Sequence, residues 1–265
     1  MIATGLQSVA LAVVALVSTI NAPSCAKPQQ AQSPQRKEKS PAMSPQETRR
    51  VEEAADRFVR RFRETLDFGV VFDEMFVADA VQRLREANFF HSMDISKRLV
   101  EKVDNATLER AYKALMNFYY LKAAYDLSIQ PLAGNEQSGD PPLPPEITSA
   151  LKASKHLSVL LDEGSGDAPT VTTRQELEQY VADLNNIAAL YKKHLPQNVF
   201  DSPTYKASLK ALNTEGRRVL RTRDGYEDFG VREGKKVYMV EQDIFIIFFV
   251  EENAELKVLT LGMGN

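Results

Sequence analysis

Residues 237–261, VYMVEQDIFIIFFVEENAELKVLTL, decide the fold class of this chain. Three stretches within them, residues 237–240, 244–250 and 256–261, are rich in β-branched and aromatic residues, which favour strands. Only a few polar residues separate one stretch from the next, and connections this short join antiparallel strands. We therefore expect an antiparallel meander. Its central strand should be 244–250, which contains no polar residue.

The sequence before this sheet has the pattern of helices. Ser44 followed by Glu47, and Thr173 followed by Glu176, are capping boxes, and apolar residues recur at helical spacing after each. Further helices are expected over residues 70–81 and from there to about residue 88, over 95–103 (capped by Asp94), 106–127 and 146–161, and from residue 203 onward. The prediction is an α+β fold in which residues 44–214 are helical. A weaker strand at 226–231 would extend the antiparallel sheet to residues 226–262, with three to four strands.

The last 30 residues resemble the closing strands of NTF2-like domains, whose curved sheet wraps a ligand pocket. The resemblance implies a pocket between the helices and the sheet. The long helical stretch before the sheet departs from that family. Within that stretch, Phe118, Tyr119, Tyr120 and Tyr125 of the predicted helix 106–127 are either core residues or the lining of such a pocket.

The first residues are typical of an export signal. Residues 9–17, VALAVVALV, are apolar without interruption, too short to span a bilayer but of the length found in signal peptides. We expect residues 1–24 to be a signal peptide. Residues 25–43, rich in Pro, Gln, Ser and charge, should form a disordered tether, and residues 44–265 a globular domain. Whether the Pro-rich loop at 132–145 divides that domain in two is left open by the sequence.

Cys25 directly follows Ala22-Pro23-Ser24. This arrangement resembles a bacterial lipobox, in which the cysteine at the first mature position receives a lipid, although Ala22 stands where that motif usually has Leu. Lipidation would attach the chain to a membrane without a spanning helix. The alternative is a free cysteine near the cleavage point of a secreted protein.

Composition excludes several classes of function. The formal net charge of -3 offers no basic excess for nucleic acid. A single cysteine allows neither an internal disulfide nor a thiolate metal cluster. The three histidines, His91, His156 and His194, are far apart and are expected at the surface or at helix ends. No cofactor or metal motif is present.

Two carboxylates are the weak candidates for a reactive site. Asp73 and Asp79 lie within the otherwise apolar residues 70–81, VVFDEMFVADAV. If one of them faced a cavity, burial would raise its pKa toward the range of a general base.

Three functions follow as expectations. The favoured one is an exported, periplasmic or envelope-attached binding or interaction module, whose partner is an unknown protein or small molecule. The alternatives are an enzyme with a pocket that uses a buried carboxylate, and a structural envelope protein.

Overall fold

The computed structural model describes residues 43–129, 142–161, 168–212, 218–221 and 236–263. Eight α-helices lie in these ranges: α1 Pro45–Thr65, α2 Phe68–Met75, α3 Ala80–Glu86, α4 Lys97–Val100, α5 Asn105–Ile129, α6 Pro145–Ala153, α7 Arg174–His194 and α8 Pro203–Leu212. Short 3₁₀ helices occur at His91–Met93, Ser158–Leu161 and Val199–Asp201. Four strands follow: β1 Arg218–Arg221, β2 Val237–Gln242, β3 Phe245–Glu252 and β4 Glu255–Met263.

The two longest amphipathic helices begin where the sequence predicts. In α1 the Ser44 hydroxyl accepts from the Glu47 amide and the Glu47 carboxylate accepts in return from the Ser44 amide. Thr173 and Glu176 make the same reciprocal pair at the start of α7. Each capping box satisfies two amides that would otherwise lack partners, so local sequence alone fixes these starts.

Helix α5 is the centre of the helical body. Thirteen of its side chains are buried, on more than one face. Its closest helical neighbours are α7 and α8, and α2 packs against it as well. Phe118 and Tyr120 are fully buried, so the aromatic group on this helix is core.

The sheet is an antiparallel meander in the order β1-β2-β3-β4. The predicted α+β fold is therefore confirmed, and the apolar stretch at 244–250 lies in the interior strand β3 except for Ile244, which belongs to the β2–β3 turn. Strand β1 was not predicted, because Arg218–Arg221 is only four residues long and half of it is arginine. The predicted strand at 226–231 and residues 132–141 of the predicted loop at 132–145 lie outside the described residues.

An aromatic cluster joins the sheet to the helices. The ring of Phe245, the first residue of β3, lies 5.2 Å from Phe58 and 5.4 Å from Phe62, both of α1. It also lies 4.4 Å from Tyr120 of α5. The hydroxyl of Tyr238 in β2 donates to Glu47, which lowers the pKa of that carboxyl. The start of β3 is thus held against α1 and α5.

Three predicted helices differ from the structure. The helix predicted over 70–81 ends at Met75, and residues 76–79 separate it from α3. Asp94 has a left-handed backbone conformation (φ 58°) and ends the preceding 3₁₀ turn, and Ser96 caps the short helix α4 instead. The predicted helix 146–161 is broken at Ser154, whose hydroxyl donates to Asp183 of α7, and it resumes only as a 3₁₀ turn. At Ser154 the side chain finds a partner outside its own helix, whereas at Asp94 the left-handed backbone excludes the helical conformation.

Candidate functional site

A groove of about 800 Å³ lies where α1, the end of α7, α8 and the turn between β2 and β3 meet. Helix α1 forms one wall, the loop after α7 forms the opposite wall, and Leu209 of α8 closes part of it. Among the described residues, the sheet contributes Gln242, the last residue of β2, and Asp243 of the β2–β3 turn. A volume of this size falls within the range of small-molecule sites, which is roughly 300–1,000 Å³.

Asp243 is the buried polar centre of this groove. Its side chain is only 3% exposed. One carboxylate oxygen, Oδ2, accepts from Nε and Nη2 of Arg63 at 3.1 and 2.6 Å. The other, Oδ1, accepts from the Tyr205 hydroxyl at 2.6 Å. One residue of the sheet therefore connects α1 to α8, and its charge is balanced by Arg63.

Aromatic rings hold this polar group in position. The Arg63 guanidinium lies 5.0 Å from the centre of the Phe200 ring, which meets the Tyr205 ring edge-on at 5.3 Å. Burial raises the pKa of Tyr205 well above its usual range, and the neighbouring Asp243 carboxylate raises it further. Tyr205 is therefore a neutral hydrogen-bond donor at physiological pH.

Lys192 fixes the end of the groove at the C-terminus of α1. Its ammonium donates to the backbone carbonyls of Thr65 and Leu66 at 3.0 and 3.1 Å. Leu66 has a left-handed backbone (φ 47°), so α1 ends here and frees these carbonyls. Lys192 thus supplies hydrogen-bond donors to carbonyls at the end of α1, and in these two contacts its charge faces neutral oxygens.

The two buried polar groups at the groove, Asp243 and Tyr205, are engaged with their neighbours. Both oxygens of Asp243 are engaged, and Tyr205 keeps its proton. A general base needs a carboxylate that can accept a further proton from substrate. Preformed walls with a fixed polar centre instead match the usual anatomy of a ligand site.

The two carboxylates predicted as site candidates lie elsewhere. Asp73 of α2 is 65% exposed and pairs with Lys113, and Asp79 before α3 is 55% exposed and pairs with Arg83. The apolar residues around them turn inward, so both carboxylates turn toward solvent. The structure leaves both of them exposed and brings neither to the groove.

The histidines are likewise apart from the groove. His156 is buried, contrary to expectation, with Nδ1 2.7 Å from the carbonyl oxygen of Pro169. His194 lies 3.4 Å from Glu146 in the last turn of α7. Within the described ranges no cluster of three or more His, Cys, Asp or Glu could hold a metal ion. Cys25 and the predicted signal peptide lie outside those ranges.

No family model, curated protein or solved structure matches this chain. In the part of the chain that the structure describes, no helix has both the length and the apolar character needed to cross a membrane.

The groove residues have almost no distinguishing signal in the sequence. Arg63 and Asp243 are separated by 180 positions, and each occurs among other charged residues. One signal was available. Asp243 stands between two strand patterns, where aspartate supports a tight turn, and it immediately precedes the most apolar strand.

Proposed function

We propose that this protein is an exported, envelope-attached binding module whose ligand occupies the groove between α1, α7, α8 and the β2–β3 turn. The observation that carries the proposal is the Arg63–Asp243–Tyr205 group, which gives the groove a buried polar centre in which both carboxylate oxygens of Asp243 accept hydrogen bonds. The apolar residues 9–17, the lipobox-like Cys25 and the polar residues 27–43 support export and attachment.

Binding in the groove is tested with N-phenyl-1-naphthylamine, an uncharged fluorophore that brightens in apolar surroundings. The chain carries Cys25→Ser so that it stays free of lipid. Leu209 lines the groove and is half-buried, so Leu209→Trp should fill part of the space. We expect saturable binding whose affinity falls at least about tenfold in this variant.

Leu160→Trp is the matched control, because Leu160 is the one large apolar residue exposed among the described residues and lies outside the groove. It should leave the affinity unchanged. Equal weakening by both tryptophans, or equal binding in all three proteins, would contradict a site in the groove.

Attachment is tested separately by metabolic labelling with a clickable palmitate. The native chain should carry the label, and Cys25→Ser should not. Absence of label from both chains would leave a binding protein that is secreted rather than anchored.

A further inference from the structure

The charged side chains that line the groove come close to balancing one another. Four described residues of the lining are carboxylates and three are cations: Asp56, Glu64, Asp201 and Asp243 against Arg60, Arg63 and Lys192. Asp243 pairs with Arg63 at 2.6 Å, and Asp201 lies 3.1 Å from Lys206, which is outside the lining. Two carboxylates and two cations are left. One of these cations, Lys192, donates to backbone carbonyls at the end of α1.

The other three remaining charges follow one another along α1. Arg60 comes one helical turn after Asp56 and one turn before Glu64, and residues four apart on a helix are neighbours. Glu64 also lies 3.6 Å from Arg61, but that guanidinium is held by Glu74 through two hydrogen bonds of 2.7 and 2.8 Å. An ion of either sign that enters beside α1 would therefore meet a like charge within one turn of an opposite one.

Apolar side chains make up much of the groove walls. Leu66 at the end of α1, Phe200 of the opposite wall and Leu209 of α8 line the groove, and each is partly exposed. Such surface gains free energy when a ligand removes it from water, whereas an ion that leaves water without a partner of opposite sign loses free energy. The walls therefore favour a ligand with an apolar body and no net charge.

Two side-chain amides offer hydrogen bonds to such a ligand. Gln197 and Asn198, in the loop after α7, line the groove and are exposed. Within the described ranges neither amide forms a hydrogen bond with another residue. Each amide has an oxygen that accepts and a nitrogen that donates, so the two together suit a hydroxyl, carbonyl or amide group, all of which are uncharged.

Resting on the proposed function, we propose that the ligand is a small uncharged amphipathic molecule. Its apolar body packs against Leu66, Phe200 and Leu209, and its hydroxyl, carbonyl or amide group bonds to Gln197 and Asn198. These two amides then set the specificity of the groove for the polar end of the ligand.

Three naphthalene compounds that differ in one group test this assignment. 1-Naphthalenemethanol is uncharged, 1-naphthaleneacetate is an anion, and 1-naphthalenemethylamine is a cation at neutral pH. Each competes with N-phenyl-1-naphthylamine for the Cys25→Ser protein. The alcohol should displace the fluorophore at a concentration at least about fivefold lower than either ion requires, because an ion gives up hydration that the balanced charges do not replace. Raising the salt from about 50 to about 500 mM should change displacement by the alcohol less than about twofold.

Substitution of the two amides tests the polar contact. Gln197→Met keeps the length of the side chain, and Asn198→Gly suits the left-handed backbone at this position (φ 56°). The double variant should weaken 1-naphthalenemethanol about fivefold relative to 1-methylnaphthalene, which has no polar group. Gln46→Met is the matched control, because Gln46 is an exposed glutamine of α1 outside the groove.

Removal of one cation tests the charge balance. Arg60→Gln takes away the positive charge between Asp56 and Glu64 and leaves the carboxylates of the groove in surplus. Binding of 1-naphthalenemethylamine should then improve about threefold relative to the alcohol. Arg57→Gln should leave this ratio unchanged, because Arg57 is an exposed arginine of the same helix outside the groove.

The assignment is overturned if either ion displaces the fluorophore as well as the alcohol does, or if the amide double variant behaves like Gln46→Met. An unchanged ratio in Arg60→Gln would count against it as well. These results leave the groove itself intact as a binding site, provided that Leu209→Trp still weakens N-phenyl-1-naphthylamine. Failure of the proposed function shows instead as insensitivity of that fluorophore to Leu209→Trp.

Discussion

The two turns of the β2–β3–β4 meander have similar backbone geometry but different surroundings. Each connects its strands with two residues, Asp243-Ile244 in the first turn and Asn253-Ala254 in the second. Each contains left-handed backbone, at Asp243 (φ 57°) and at Asn253 and Ala254 (φ 51° and 66°). The first turn is buried against α1 and α8, whereas Asn253 and Ala254 are exposed.

This contrast shows that a tight turn becomes part of a site only through what packs against it. In the first turn the side chain that tolerates left-handed backbone also bonds to Arg63 and Tyr205. In the second turn the side chains reach solvent and the backbone geometry is their main contribution. Changes at the first turn should therefore be costly, and changes at the second should be small or favourable.

The largest effect is expected at Phe245, directly after the first turn. Phe245→Ala should lower the free energy of unfolding by about 3–5 kcal/mol, because it removes the ring that contacts Phe58, Phe62 and Tyr120. Urea denaturation measures this. Glu255→Ala, at the corresponding position after the second turn, should change stability by less than about 0.5 kcal/mol. Similar losses in the two variants would remove the distinction between the turns.

Next comes the buried carboxylate itself. Asp243→Asn preserves the shape and the tolerance for left-handed backbone but removes the charge that balances Arg63. We expect a loss of about 2–3 kcal/mol, less than for a fully buried pair because the Arg63 side chain is 36% exposed. Asn253→Asp is the reciprocal change and should be nearly neutral. A loss below about 0.5 kcal/mol for Asp243→Asn would show that the ion pair does not hold the groove together.

The pH dependence of stability should also report on the first turn. The pKa of Tyr205 is raised in the folded state, so its stabilising contribution is complete below the unfolded value and is lost as the pH rises above it. Above a pH of about 10, Tyr205 should lower the free energy of unfolding by up to about 1.4 kcal/mol per pH unit. Tyr205→Phe should therefore flatten the decline between pH 10 and 11 in urea titrations. An unchanged slope would contradict the raised pKa.

The smallest effect is expected at the second turn, and it has the opposite sign. Ala254 has no side-chain polar group to favour its left-handed backbone, so Ala254→Gly should stabilise the fold by about 0.5–1 kcal/mol. Asn253→Gly should gain less, because asparagine tolerates this conformation. Thermal denaturation of the two variants makes the comparison. Destabilisation by Ala254→Gly would mean that the exposed turn has contacts that its geometry does not reveal.

Much of the fold was predictable because its causes are local. Capping boxes at Ser44 and Thr173 fixed the starts of α1 and α7, and the apolar run at 244–250 identified an interior strand. One error occurred where two neighbouring residues could both cap a helix. Asp94 can cap a helix, but its left-handed backbone ends the previous turn, and Ser96 takes its place.

The candidate site was the least predictable feature. Asp73 and Asp79 attract attention because they interrupt an apolar run, yet an exposed position beside Lys113 or Arg83 accommodates them. Arg63, Lys192 and Asp243 attract none, because each resembles an ordinary surface residue in its own segment. Sequence distance hides such a group until the chain is folded.

By itself, the sequence was enough to predict the fold class, the starts of the main helices and the meander. These depend on propensity, periodicity and capping within a few residues. Only the tertiary structure decided that a turn aspartate would be buried between an arginine 180 positions earlier and a tyrosine 38 positions earlier. The physical reason is that a buried charge must find its partners wherever packing brings them, and packing brings together residues that no local pattern connects.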